Sequence, residues 1–177
     1  ISQAFAGWIM VASGLVNRPA VSHFNLTIHL LLALILFGLA VWTALGHSYG
    51  FHNPGRKVKR SLPSKLALTY FAMLILQITY GGMTAGLKAG HVSDTWPLMF
   101  GKLIPPNLFS SFIDLFEAPA TIVFIHRWLA WLVLFAAAWM VFTARKFNYH
   151  GEIKNGLILL VAAVVLQITL GILTIVS

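Results

Sequence analysis

Apolar positions in this chain run in long unbroken blocks rather than in alternating or one-sided stripes. Four blocks stand out, Leu26 to Leu45, Leu66 to Leu87, Ala118 to Ala144 and Leu157 to Ser177, with a shorter fifth from Ile1 to Val16. Each long block meets the requirement of about 20 apolar residues for crossing a hydrocarbon core roughly 30 Å thick. Lipid offers backbone groups no hydrogen-bond partners, so continuous spans of this length are α-helices. The pattern therefore predicts an all-α membrane protein with five transmembrane helices: Ile1–Val16, Ser22–Gly46, about Lys65–Lys88, Pro119–Ala144 and Asn155–Ser177. Pro19, Pro54-Gly55 and the stretch with Pro97, Gly101, Pro105 and Pro106 punctuate them as turns and loops, while Pro119 suits a helix first turn.

Composition agrees with the bilayer as solvent. Hydrophobic residues make up 59% of the 177 and charged residues only 9%, against about 25% charged in a soluble domain. The net charge of +8 does not point to nucleic acid, because most of the basic residues sit in two loops. Arg56, Lys57, Lys59, Arg60 and Lys65 are in one, and Arg145, Lys146 and Lys154 are in the other. Basic loops mark the cytoplasmic or matrix side, so the first, third and fifth spans are expected to run outward. Residues 47–64 form the inner basic loop and 89–117 a long outer segment. With no cysteine there is no disulfide and no thiolate metal site. No initiator Met or charged leader is present. Ile1 falls inside one apolar helical pattern and Ser177 ends another, so the chain is expected to be an internal fragment.

Internal repeats are visible. "SQAFAGWIMVASG", "LQITYGGMTAG" and "LQITLGILTIVS" share Gln-x-x-x-Gly, at Gln3/Gly7, Gln77/Gly81 and Gln167/Gly171. The second and fourth spans share His-x-x-Leu-Ala, at His29 and His126. Tandem halves are a familiar membrane architecture. Gly82, Gly86 and Gly90 recur at every fourth position and predict a close helix contact at the end of the third span.

Five of the seven histidines (His23, His47, His52, His91 and His150) fall in loops or at span edges and read as hydrated polar residues. His29 and His126 lie within spans, each roughly 10 Å below the expected outer boundary at 1.5 Å per residue. Polar groups at that depth face a cavity or the bundle interior. Two uses fit: an interhelical hydrogen bond, or axial ligation of a haem iron by neutral imidazole. Arg127 has two readings as well, bidentate pairing with a haem propionate or snorkelling to the headgroups. Glu117 reads as an anion at a helix N-terminus. Trp96, Trp128, Trp131 and Tyr80 read as an interfacial aromatic belt.

Longer wording goes further. "GGMTAGLKAGHVSDTWPLMFGKLIPP" (81–106) and "FEAPATIVFIHRWLAW" (116–131), with "GWIMVASGL" (7–15) and "VSHFNLTIHLLLAL" (21–34), resemble the haem A synthase family over nearly the whole chain. The resemblance implies eight spans in two tandem four-helix halves, each with a pair of axial histidines near the outer side. Residues 1–46 would end the first half and 65–177 belong to the second. His29 would bind the substrate haem, and His126 a haem b with Arg127 beside it. A first-half His-Arg motif and a catalytic glutamate would precede Ile1. The implied activity is oxidation of a haem peripheral methyl to formyl, haem O to haem A, for cytochrome c oxidase biogenesis. It would take place in the bacterial plasma membrane or mitochondrial inner membrane. Haem O synthase and oxidase assembly factors are the implied protein partners, and a homo-oligomer is compatible. Absence of cysteine matches the proteobacterial and mitochondrial type, whereas Ser93-Asp94 departs from the frequent Tyr-Asn. The alternatives are a bis-His cytochrome b-type electron-transfer subunit and a proton-relaying transporter with broken helices.

The repeat makes one direct prediction. A histidine stands about 26 residues after Gln3, so one is expected about 26 residues after Gln167 in the longer protein. Determining the flanking sequence checks it, and no histidine near that place would refute the tandem reading.

Overall fold

The computed structural model describes residues 1–14, 21–50 and 62–176. Apart from one isolated backbone bridge, they are helices and connecting segments. The helices are α1 (Ser2–Ala12), α2 (His23–Tyr49), α3 (Leu62–Gly86), the single-turn α4 (Asp114–Glu117), α5 (Pro119–Lys146) and α6 (Gly151–Val176), with a 3₁₀ turn at Ala89–Val92. Helices α2, α3, α5 and α6 are long and apolar enough to cross a membrane, and α1 is a shorter apolar helix. All five expected spans are thus helical and none of the long ones is broken. The ends differ slightly. Helix α2 continues to Tyr49, past the expected Gly46, and α6 begins at Gly151, before the expected Asn155. The Arg18-Pro19 turn, His52, Pro54-Gly55 and the basic cluster Arg56, Lys57, Lys59 and Arg60 lie outside the described residues.

Successive helices pack antiparallel, α1 on α2, α2 on α3, α3 on α5 and α5 on α6. The close approach of α2 and α3 is set by glycine. A Cβ on Gly82 would lie 2.8 Å from Thr27 Oγ1, and one on Gly86 would lie 2.7 Å from His23 Cα. The α3 backbone therefore lies directly on α2, with van der Waals contact replacing the hydrophobic drive that lipid removes. The four-residue glycine spacing was expected to make such a contact. It does so at Gly82 and Gly86, while Gly90 belongs to the 3₁₀ turn and has open space around it.

Two apolar clusters pack against α5. One, of Tyr70, Val133 and Ala137, takes in Leu160, Val161 and Val164 of α6. The other, of Ala89, Met99 and Val123, roots the segment after α3 onto the start of α5. Elsewhere large apolar side chains face outward, Phe37, Trp42 and Leu159 among them. That is the expected surface of a molecule whose solvent is hydrocarbon.

Pro119 occupies the first turn of α5 as expected. Glu117 closes α4 instead, and no side chain caps α5. Lys65 near the start of α3, Arg145 and Lys146 in the last turn of α5 and Lys154 near the start of α6 share one end of the bundle. The segment 89–117 lies at the other.

Gly86→Ala should push α3 off α2 and destabilise the full-length protein by about 1–3 kcal/mol. Gly38→Ala, with nothing within 4 Å of the added Cβ, should not. Thermal unfolding in detergent checks the pair.

Candidate functional site

His29 and His126 project from α2 and α5 six and seven residues after helix starts at His23 and Pro119, so they sit at matching depth. Each ring meets the preceding membrane helix at a glycine. His29 Cε1 lies 3.1 Å from where a Cβ of Gly7 on α1 would be, and His126 Cε1 lies 3.0 Å from the same point at Gly81 on α3. The ring nitrogens repeat too, at 3.6 and 3.7 Å for His29 and 3.6 and 3.8 Å for His126. Any side chain at either glycine would occupy space that the imidazole now fills.

One helical turn before each glycine stands a glutamine, on the same face because residues four apart align. The Gln3 amide nitrogen lies 3.3 Å from His29 Nε2 and donates to the His29 carbonyl at 3.2 Å. The Gln77 backbone lies within interaction reach of the His126 ring. In both units the imidazole stands beside the glutamine residue. His29 Nδ1 and His126 Nδ1 are buried with no protein partner, and so are Gln3 Oε1 and Gln77 Oε1.

Buried polar atoms are normally paired, and exceptions call for an explanation. Threonines along the spans follow the rule by donating to the carbonyl four residues back, as Thr27 does to His23 (2.7 Å), Thr79 to Ile75 (2.7 Å) and Thr84 to Tyr80 (2.7 Å). Of the six buried unpaired side-chain atoms among the described residues, four belong to the two Gln–His units and a fifth is Arg127 Nε.

Arg127 is 6% exposed. Its Nη2 donates to the Ser93 carbonyl at 2.8 Å and Nη1 to the Thr95 carbonyl at 3.0 Å. The guanidinium lies 5.8 Å from the centre of the Trp96 ring, which stacks on Trp131 at 6.3 Å. Trp96, Met99, Leu103, Arg127 and Trp128 line a cleft under the outer segment. Arg127 thus staples residues 93–96 onto α5, a use that neither snorkelling nor propionate pairing described. Two of the five guanidinium donors make these bonds. Trp96 and Trp131 are part of the same assembly rather than belt residues alone. Beyond it, Met99 and Lys102 exchange backbone hydrogen bonds of 2.8 and 3.0 Å around Phe100 and Gly101. Gly101 there sits at φ +73°, a conformation glycine adopts without strain.

His23 is not simply a hydrated edge residue: its Nε2 donates to the Phe116 carbonyl at 3.0 Å and ties the start of α2 to α4. Among the described residues, no group of three or more His, Cys, Asp or Glu converges on one point. His29 lies against α1 and His126 against α3, each in its own helix pair.

The sequence presented the Gln-x-x-x-Gly repeat and the two histidines as separate repeats. Their union was missed because partners on different helices have no fixed separation along the chain. The usable signal was depth, since a glutamine and glycine one turn apart at mid-span face whatever the adjacent helix carries there.

Four unbroken membrane-length helices, two of them bearing inward histidines seated at matched depth, define an integral membrane protein of the kind that holds its chemistry between helices. Comparison with known proteins supplies the family. Residues 1–177 match the cytochrome oxidase assembly protein family, COX15-CtaA, and the chain belongs to it. It is 39% identical to the heme A synthase of Flavobacterium johnsoniae over 97% of this chain and 51% of that protein. It is 41% identical to that of Wolbachia pipientis wMel, over 97% of this chain and 48% of the relative. The chain therefore spans about half the length of the curated relatives it matches. No solved structure matches it.

Arg127→Met should free the outer segment by removing two charge-assisted hydrogen bonds, at a cost on the order of 2–3 kcal/mol. Limited proteolysis should then cut between residues 93 and 104 faster than in the parent, while Arg145→Met, at an exposed position, should not change the rate.

Proposed function

We propose that this chain is the central part of a haem A synthase, in which His29 and His126 would hold the irons of two different haems. The observation that carries the reading is the pair of half-buried imidazoles, each beside a glutamine residue and each with a buried Nδ1 that has no protein partner. A neutral imidazole ligating iron needs this division, with one nitrogen fixed by a neighbour and the other available to the metal. An uncommitted buried Nδ1 on each ring is the donor type that haem iron takes, so the residues present fit the group.

In this reading His126 holds a resident haem b and His29 the substrate, haem O, whose peripheral methyl becomes the formyl of haem A. Bound haem supplies the redox chemistry. The chain supplies binding, orientation and exclusion of water. Arg127 keeps the outer segment closed over α5, and its unpartnered Nε–H, with the second hydrogens on its Nη atoms, offers donors to a propionate. Helices α1 and α2 would close a first four-helix half and α3, α5 and α6 belong to a second, which makes the Gly82 and Gly86 contact the seam between halves. Lys65, Arg145, Lys146 and Lys154 would mark the cytoplasmic or matrix face, in a bacterial plasma membrane or mitochondrial inner membrane. Product haem A would pass to cytochrome oxidase, with haem O synthase and assembly factors as partners.

His126→Ala in the full-length protein should remove a low-spin b-type signal from the absorption spectrum. His29→Ala should leave that signal and reduce bound haem O and haem A in the extracted pigment. An unchanged spectrum for His126→Ala would exclude it as a ligand. Pigment containing haem b alone in the unsubstituted protein would favour a cytochrome b-type electron-transfer subunit.

A further inference from the structure

We propose that Gln-x-x-x-Gly is an imidazole-seating unit, in which Gly7 and Gly81 set how closely each ring approaches the neighbouring helix and Gln3 and Gln77 select which ring nitrogen carries the proton. These four are positioning residues, and the proposal rests on the reading that His29 and His126 ligate haem iron.

The glycine half follows from distance. A Cβ at Gly81 would stand 3.0 Å from His126 Cε1, and one at Gly7 3.1 Å from His29 Cε1, each closer than a relaxed carbon–carbon contact of about 3.5–4.0 Å. The helix backbone is therefore the wall against which the ring rests, and an alanine would shift the ring by a few tenths of an ångström. The same contact occurs independently in two helix pairs with ring-atom distances agreeing to about 0.1 Å.

The glutamine half follows from hydrogen-bond accounting. An imidazole ligand donates its other ring N–H to an acceptor, which fixes the tautomer and the ring plane. On α3 the Gln77 backbone is the acceptor within reach of the ring. On α1 the ring nitrogen faces the Gln3 amide at 3.3 Å, and amide oxygen and nitrogen exchange places on a half-turn of the side chain. The turned amide presents Oε1, now without a partner, to the ring N–H, in exchange for its bond to the His29 carbonyl. Nε2 of His29 then holds the proton and Nδ1 keeps its lone pair. Gln77 Oε1 is likewise buried and unpartnered, the reserve acceptor if the ring turns.

The test uses full-length protein carrying its haem, read by electron paramagnetic resonance of the low-spin ferric centre and by its midpoint potential. Gly81→Ala should keep the haem but shift the lowest-field g value and the potential. Gly81→Leu should lose the low-spin signal as His126→Ala does, while Gly38→Leu, in open space, should match the parent. If Gly81→Leu does not fold, Gly81→Ala decides alone. For the other unit, Gln3→Leu should weaken retention of the haem held by His29 by 10–100-fold, and Gln3→Glu, which keeps an acceptor, should restore it. If His126→Ala removes the signal while Gly81→Ala leaves g values and potential unchanged, seating by glycine is overturned and ligation stands. If Gln3→Leu retains haem like the parent, proton selection by the glutamine is overturned. If His126→Ala itself changes nothing, the ligation reading fails first.

Discussion

Inside a bilayer two apolar helices gain little by excluding solvent from each other, because lipid tails are as apolar as leucine; closeness of approach has to hold them. Glycine provides that closeness here, at two kinds of place. At Gly82 and Gly86 the α3 backbone comes within touching distance of Thr27 and His23 on α2. At Gly7 and Gly81 the gap is filled by an imidazole from the next helix. Backbone contact sets how the helix pairs sit, and ring contact fixes where the titratable groups stand. Both depend on the absence of a single carbon atom.

The same solvent governs the polar groups. A hydroxyl in hydrocarbon is costly unless bonded, and the span threonines satisfy themselves on their own helix. Among the described residues, the buried side chains that do not close all their hydrogen bonds are those of the two seats and the outer staple, together with Tyr70. Stability and function are therefore distributed differently. The apolar cluster at Tyr70–Val133–Ala137 holds α3 to α5 and that at Ala89–Met99–Val123 holds the outer segment to α5, and the polar deficits gather where a ligand would be held. Arg127 belongs to both groups, since its bonds to Ser93 and Thr95 organise the outer segment while Nε remains uncommitted.

The chain belongs to the cytochrome oxidase assembly protein family, and its two seats in successive helix pairs repeat one local solution. Gln167 and Gly171 on α6 carry the pattern a third time, with open space around Gly171.

Much of this was legible in the sequence, because hydrocarbon imposes a simple code. Apolar length alone determined the spans, and the position of His29 and His126 in their spans determined their common depth. The glycine spacing on α3 announced a close contact. Partners across helices could not be read that way. That Gln3 and Gly7 serve His29, that the matching pair serves His126, and that Arg127 reaches back to Ser93 and Thr95 depend on how the helices turn about their axes. Rotation is settled by which faces pack, and a nearly uniform apolar span carries little periodicity to declare it. The tertiary structure decided those pairings because only there do the small faces of α1 and α3 meet the histidine faces of α2 and α5.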